Sequence, residues 1–273
     1  MQGLHDFIPT DTKAAYINQL LKVGFDTIDF GSFVSPKAIP QMRDTAEVLK
    51  KLDLSGTSTR LLSIVANQRG ADRAVEFDEI TYLGYPFSVS ETFQLRNTNA
   101  TIAESLERVE KMQETCVKHH KTLVVYLSMG FGNPYGDPWN ADIVIQWVER
   151  LHRLGITIMQ LSDTIGVSTV DSIEYLFSQL IPAFPDVEIG AHLHTKTTDA
   201  GAKIKAAFQN GCRRFDGALK GFGGCPMARD ELVGNMPTEQ LIFYFAGKNE
   251  ININMEELYE AMEMAEHIFP KKT

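Results

Sequence analysis

TLVVYLSMGFGNPYGDPWNADIVIQWVERLHRLGITIMQLS, residues 122–162, contains a complete strand–helix–strand repeat. Thr122–Ser128 is a short run of β-branched, aliphatic and aromatic residues, the composition of a strand. ADIVIQWVERLHRLG then starts polar, places Ile143, Val144, Trp147, Val148 and Leu151 at helical spacing, and stops at Gly155. That pattern predicts an amphipathic helix covering an apolar surface, with a glycine terminator. Thr157–Ser162 (TIMQLS) returns to strand composition.

The same alternation runs outward in both directions. Further strands are expected at Thr27–Gly31, Arg60–Ala66, Glu79–Gly84, Val187–His192 and Arg214–Ala218, with helical patterns such as IAESLERVEKMQETCVKHH between them. An unbroken β–α rhythm without a low-complexity linker predicts one α/β domain over 1–273. The length is near that of one (β/α)8 TIM barrel, yet seven strands are visible and a closed barrel has eight. The chain opens on a loop-and-helix pattern, FIPTDTKAAYINQLLKVG. The expectation is therefore a TIM barrel lacking its first strand, with an open α/β fold as the alternative. Met255–Phe269 is read as a last helix that closes or caps the barrel.

Composition narrows the functional classes. A formal net charge of −9 argues against a nucleic-acid surface, which would need a basic footprint. No run of eighteen apolar residues occurs, so no membrane span is expected. The N-terminus has no basic segment followed by an apolar run, so it does not read as a secretory signal, and a cytoplasmic location is the default. The three cysteines, Cys116, Cys212 and Cys225, form no CxxC pair and suggest neither a disulfide scaffold nor a zinc knuckle.

Several residues could carry chemistry. Ala191-His192-Leu193-His194 ends a strand, and i, i+2 residues on a strand share a face. Both imidazoles could converge on a divalent metal at the carboxyl end of the sheet, or hydrogen-bond nearby loops. Cys225, within GFGGCPMARDELVGN, could act as an acid, base or nucleophile, or pack under its loop. Asn235 offers an amide oxygen to a metal or serves as a turn or cap residue. Asp163, in LSDTIGV, could orient substrate or accept loop N–H bonds. Asp29, in TIDFGSFVSP, must be paired if it faces the interior without water.

SFVSPKAIPQM (Ser32–Met42), SVSETF…RNTN, LSDTIGV, AHLH and GFGGCP…GN occur in the order and spacing of the 3-hydroxy-3-methylglutaryl-CoA lyases. The chain resembles that family over essentially its whole length. The family belongs to a group of metal-dependent barrel enzymes that also includes isopropylmalate and homocitrate synthases. SFVSPKAIPQM and GFGGCP together point to the lyases.

The resemblance implies a carbon–carbon lyase that cleaves 3-hydroxy-3-methylglutaryl-CoA to acetyl-CoA and acetoacetate. That reaction belongs to leucine degradation and ketone body metabolism. The resemblance makes His192, His194 and Asn235 ligands of Mg²⁺ or Mn²⁺, with His192 also a candidate base. It places Cys225 on a closing loop that takes part in proton transfer, and Asp29 and Asp163 close to the reacting groups. Coenzyme A enters as part of the substrate, with Arg96 and Lys220 as suggested contacts, and a homodimer is expected.

The chain departs from the family in four places. Asp29 stands where the lyases have a glutamate, and Val124 replaces a basic residue. The interval from Cys225 to Asn235 is longer by one residue. The Arg-Asp pair that ends the family's first strand would align before Met1. Two alternatives stay open: a related aldolase or acyl-CoA/2-oxo acid condensing synthase, and an inactive truncated homologue.

Overall fold

A computed structural model of the protein describes residues 1, 4, 6–223, 234–248 and 250–269. Six strands form one parallel sheet: β1 (Thr27–Ser32), β2 (Arg60–Ile64), β3 (Ile80–Ser88), β4 (Thr122–Ser128), β5 (Ile158–Asp163) and β6 (Glu188–Leu193). Their order in the sheet is their order in the chain, with every neighbouring pair parallel. Each connection carries helix, as parallel neighbours require.

The sheet is curled. The guanidinium groups of Arg60 in β2 and of Arg214, beyond β6, both lie against the ring of Tyr82 in β3, at 5.3 and 5.4 Å from its centroid. Asp26 pairs with Arg60 and Glu188 with Arg214, which closes the amino-terminal floor of the concave side. Above it, Leu62, Tyr82, Val124 and Ile158 form a small inner layer with Ile64 and Tyr126 packed on it. The main core lies between the sheet and its helices and includes Tyr85, Phe87, Leu123, Val125, Leu127, Met159 and Leu161. Strand alternation thus sends one set of side chains outward to the helices and the other into the curl.

The expected helix after β4 runs Ala141–Arg153, capped by Asn140, whose Oδ1 accepts from Ile143 N at 2.9 Å. It ends before Gly155, which takes φ +83°. Helix Ile102–Lys118 opens with a capping box between Thr101 and Glu104. The final helix, Met255–Ile268, packs on Thr10–Val23: Gln19 donates to Glu257 Oε2 at 2.7 Å, and Tyr16 meets Phe269 edge-on at 5.4 Å.

Two expectations need adjustment. β3 extends to Ser88, well past Gly84. Arg214–Ala218 is not a strand but two isolated bridges, Ala191↔Phe215 and Ala218↔Pro237. The segment changes partner within three residues, from Ala191 to Met236 and Pro237, so no ladder of consecutive pairs can build. It nevertheless continues the curl of the sheet by one place. Among the described residues no helix is long and apolar enough to cross a membrane.

Candidate active site

β6 delivers the histidine pair. His192 and His194 share the inner face, their ring centroids 5.7 Å apart, at the carboxyl end of the sheet where barrel enzymes place their sites. His194 is 4% exposed. Loss of hydration, with the neighbouring His192 as second cause, pulls its pKa down to about 4. The ring is therefore neutral at physiological pH, which is the form that ligates metals. Leu193 between them points out to the core.

His192 is held from behind. Its Nδ1 lies 3.0 Å from Asp216 Oδ2, and its ring stands edge-on to Tyr126 with centroids 5.3 Å apart. Burial first, then the carboxylates of Asp216 and Asp29, push the Tyr126 phenol well above its usual value. Tyr126 thus keeps its proton and remains a donor at the inner wall.

Asn235 joins the pair through the backbone. An antiparallel bridge sets it against His194, and Met236 N donates to Leu193 O at 2.9 Å. Its Nδ2 donates to Phe222 O at 2.8 Å, which orients the amide and leaves Oδ1 as the remaining donor atom. Two imidazoles and an amide oxygen suit a divalent cation, the histidine oriented by a carboxylate being a familiar arrangement in such sites. Among the described residues no three His, Cys, Asp or Glu side chains gather at ligating spacing, so this donor set carries no carboxylate.

Asp29 comes from the opposite edge of the sheet. Its side chain is reachable by solvent inside the mouth, yet the surrounding protein withholds bulk hydration and raises its carboxyl to about 7. After burial, the Met1 ammonium opposes the shift most, Asp216 adds to it and His192 opposes it, so charges on both walls act on Asp29 across the curl. A β-bulge between Asp29 and Gly31 accompanies this placement.

Asp163 is employed differently. Its side chain is fully buried and accepts from Val167 N at 2.8 Å, Ser168 N at 2.9 Å and Lys203 Nζ at 3.2 Å. It anchors the loop after β5. Arg96 and Lys220 stand apart from the histidines: Arg96 is exposed over the Tyr135 ring at 4.7 Å, and Lys220 is ion-paired with Glu266 of the last helix. Cys225 lies outside the described residues.

The sequence reading missed Asp216, Gln160 and Lys203. For Asp216 a signal existed: Arg214 and Asp216 share parity in a strand-like run just before the glycine-rich segment. It also missed Gln41 within SFVSPKAIPQM, which accepts from Ile8 N at 2.9 Å and donates to Asp6 O at 2.7 Å, tying residues 6–8 to the loop after β1.

The HMGL-like family model matches residues 1–265. The hydroxymethylglutaryl-CoA lyase of Bacillus subtilis (strain 168) is 34% identical over 261 residues, which is 95% of this chain and 86% of that protein. The crystal structure of the Bacillus subtilis HMG-CoA lyase superposes with a TM-score of 0.89 at 33% identity, covering 97% of this chain and 89% of that one. An HMG-CoA lyase from Acinetobacter baumannii, solved in complex with coenzyme A and 3-methylmalate, gives a TM-score of 0.89 at 30% identity, over 98% and 87% of the two chains.

Proposed function

The chain belongs to the HMGL-like family, and from that premise we propose that it cleaves 3-hydroxy-3-methylglutaryl-CoA to acetyl-CoA and acetoacetate. The observation that carries the proposal is the His192–His194 pair at the carboxyl end of the sheet, with Asp29 of β1 coupled to His192 by charge across the curl, in a chain that matches HMG-CoA lyases along nearly its full length. His192, His194 and Asn235 would hold a divalent cation, Mg²⁺ or Mn²⁺. Bound there, such a cation would polarise the substrate's 3-hydroxyl and carboxylate oxygens.

The chain's own groups account for the proton movements. Asp29, with a carboxyl near 7, is matched to accept the 3-hydroxyl proton at neutral pH. The electrons of that O–H bond form the new C3 carbonyl of acetoacetate, and those of the C2–C3 bond go to C2. C2 then takes a proton, for which Cys225 is the proposed source. Tyr126, protonated and beside His192, would have to turn its hydrogen from Asp216 to donate to bound substrate. Asp163 acts by fixing the loop after β5.

Coenzyme A enters as the thioester half of the substrate. The Acinetobacter baumannii enzyme was solved with coenzyme A, and Arg96 and Lys220 remain our proposed contacts for its phosphates. Lys220 would have to leave Glu266 to serve. The proposal includes a cytoplasmic homodimer, checked by light scattering on the purified protein and by fractionation of its source cells.

The deciding experiment offers the purified protein two chemistries in parallel. Release of acetoacetate from 3-hydroxy-3-methylglutaryl-CoA is expected. Condensation of acetyl-CoA with 2-oxo acids, in the absence of that cleavage, would assign the chain to a synthase instead.

A further inference from the structure

We infer that Asp216, held in place by Gln160, is a positioning residue that sets the ring orientation and tautomer of His192 for cation binding. The inference rests on the reading of His192 as a ligand and assigns new roles to two residues outside the expected donor set.

Asp216 is pinned next to β6 by the backbone. Ala191 N donates to Arg214 O at 2.9 Å, and Asp216 N donates to Ala191 O at 3.0 Å. This puts the Asp216 carboxylate one position sideways from His192, with Oδ2 3.0 Å from Nδ1. With Asp216 Oδ2 as the acceptor of this contact, the tautomer that fits carries its hydrogen on Nδ1 and leaves the Nε2 lone pair for a ligand. The edge-on packing of Tyr126 against the same ring limits its rotation.

Gln160 supplies the second half. It is fully buried in mid-β5, in register with Gly190 of β6. Its Nε2 donates to Asp216 Oδ1 at 3.0 Å. To make that bond the side chain must pass directly over Gly190. A Cβ at that position would sit 2.0 Å from Gln160 Oε1 and 2.7 Å from Cδ. Only a glycine leaves the path open. Gln160 of β5 thus holds Asp216 Oδ1 and His192 of β6 meets Oδ2, with the Tyr126 phenol of β4 also drawn to the carboxylate, so the group cannot turn without breaking a contact. A buried glutamine spanning a strand through a glycine gap has no packing reason to be polar. Fixing a carboxylate behind a histidine gives it one.

Three variants test the inference on purified protein, with Mn²⁺ affinity from titration calorimetry and the imidazole tautomer from ¹⁵N NMR of the metal-free form. Asp216→Asn presents a donor to Nδ1 and moves the His192 proton to Nε2. The expected result is an Mn²⁺ affinity lower by about 10- to 100-fold, with the His192 ¹⁵N signals exchanging their pattern. Gln160→Leu keeps the carboxylate but removes its holder, and a smaller loss of affinity in the same direction is expected. It also serves if Asp216→Asn does not fold. His192→Ala separates the two readings. Loss of Mn²⁺ binding in His192→Ala, with unchanged affinity and tautomer in folded Asp216→Asn, overturns the inference and leaves the metal reading standing. Unchanged Mn²⁺ binding in His192→Ala overturns the metal reading. Wild-type affinity in Gln160→Leu overturns the role given to Gln160.

Discussion

The Lys203 ammonium lies 3.2 Å from Asp163 Oδ2, with both side chains buried, and the same nitrogen donates to the His194 carbonyl at 3.2 Å. One cation on the outer helix Thr197–Gln209 thereby joins the loop after β5 to the backbone of a candidate ligand. Removing either charge strands the other away from water. Lys203→Met is expected to destabilise the fold by about 3–5 kcal/mol. Urea unfolding measures this, and a loss below about 1 kcal/mol would place the pair among the weak surface-like bridges.

Two of the thiols should be inert in the folded protein. Cys116 and Cys212 are fully buried, and desolvation raises each thiol to about 12. At pH 7–8 in the native state, a maleimide reagent is expected to leave Cys116 and Cys212 unlabelled, since thiolate is the reactive form. Peptide mapping reads the outcome. Rapid native labelling of Cys116 or Cys212 contradicts the packing described.

Asp29 gives metal-free stability a pH signature. Its folded pKa of about 7 is above the unfolded value of 3.8, so the folded state holds the proton more tightly. Its contribution is fully present below about pH 4 and is lost as pH rises through about 7. The melting temperature of Asp29→Asn, relative to the wild type, should therefore climb between pH 4 and pH 8 and then level off. A difference that stays constant across that window would mean the carboxyl titrates normally.

The histidine pair should govern metal content. His192→Ala and His194→Ala are each expected to lose bound Mn²⁺ by at least about tenfold, read by elemental analysis after dialysis. Wild-type stoichiometry in a folded variant would remove that residue from the donor set.

The fold was largely legible because its signal is local. TLVVYLS and ADIVIQWVERLHRLG carry strand composition and helix periodicity within a few residues, and Gly155 ends the helix where expected. Arg214–Ala218 has strand composition too, but its pairing depends on where residues 234–238 come to lie, which no local pattern encodes. The HLH pair could be found because strand parity alone puts both rings on one face. Asp216 and Gln160 were harder: their meeting needs the register of β5 on β6 and the missing Cβ of Gly190. Asp163 drew attention by its strand-end position, while its partner Lys203 sits forty residues on, within a helix whose other face is solvated.

The central claim is tested most directly by acetoacetate release from 3-hydroxy-3-methylglutaryl-CoA. The protein is stripped of metal with chelator and assayed before and after Mn²⁺ or Mg²⁺ is restored, beside His194→Ala treated alike. The expected result is negligible release from the stripped protein, recovery on adding the cation, and no recovery in His194→Ala. Release that is equal in all of these conditions, or absent from folded wild-type protein with cation restored, would contradict the account.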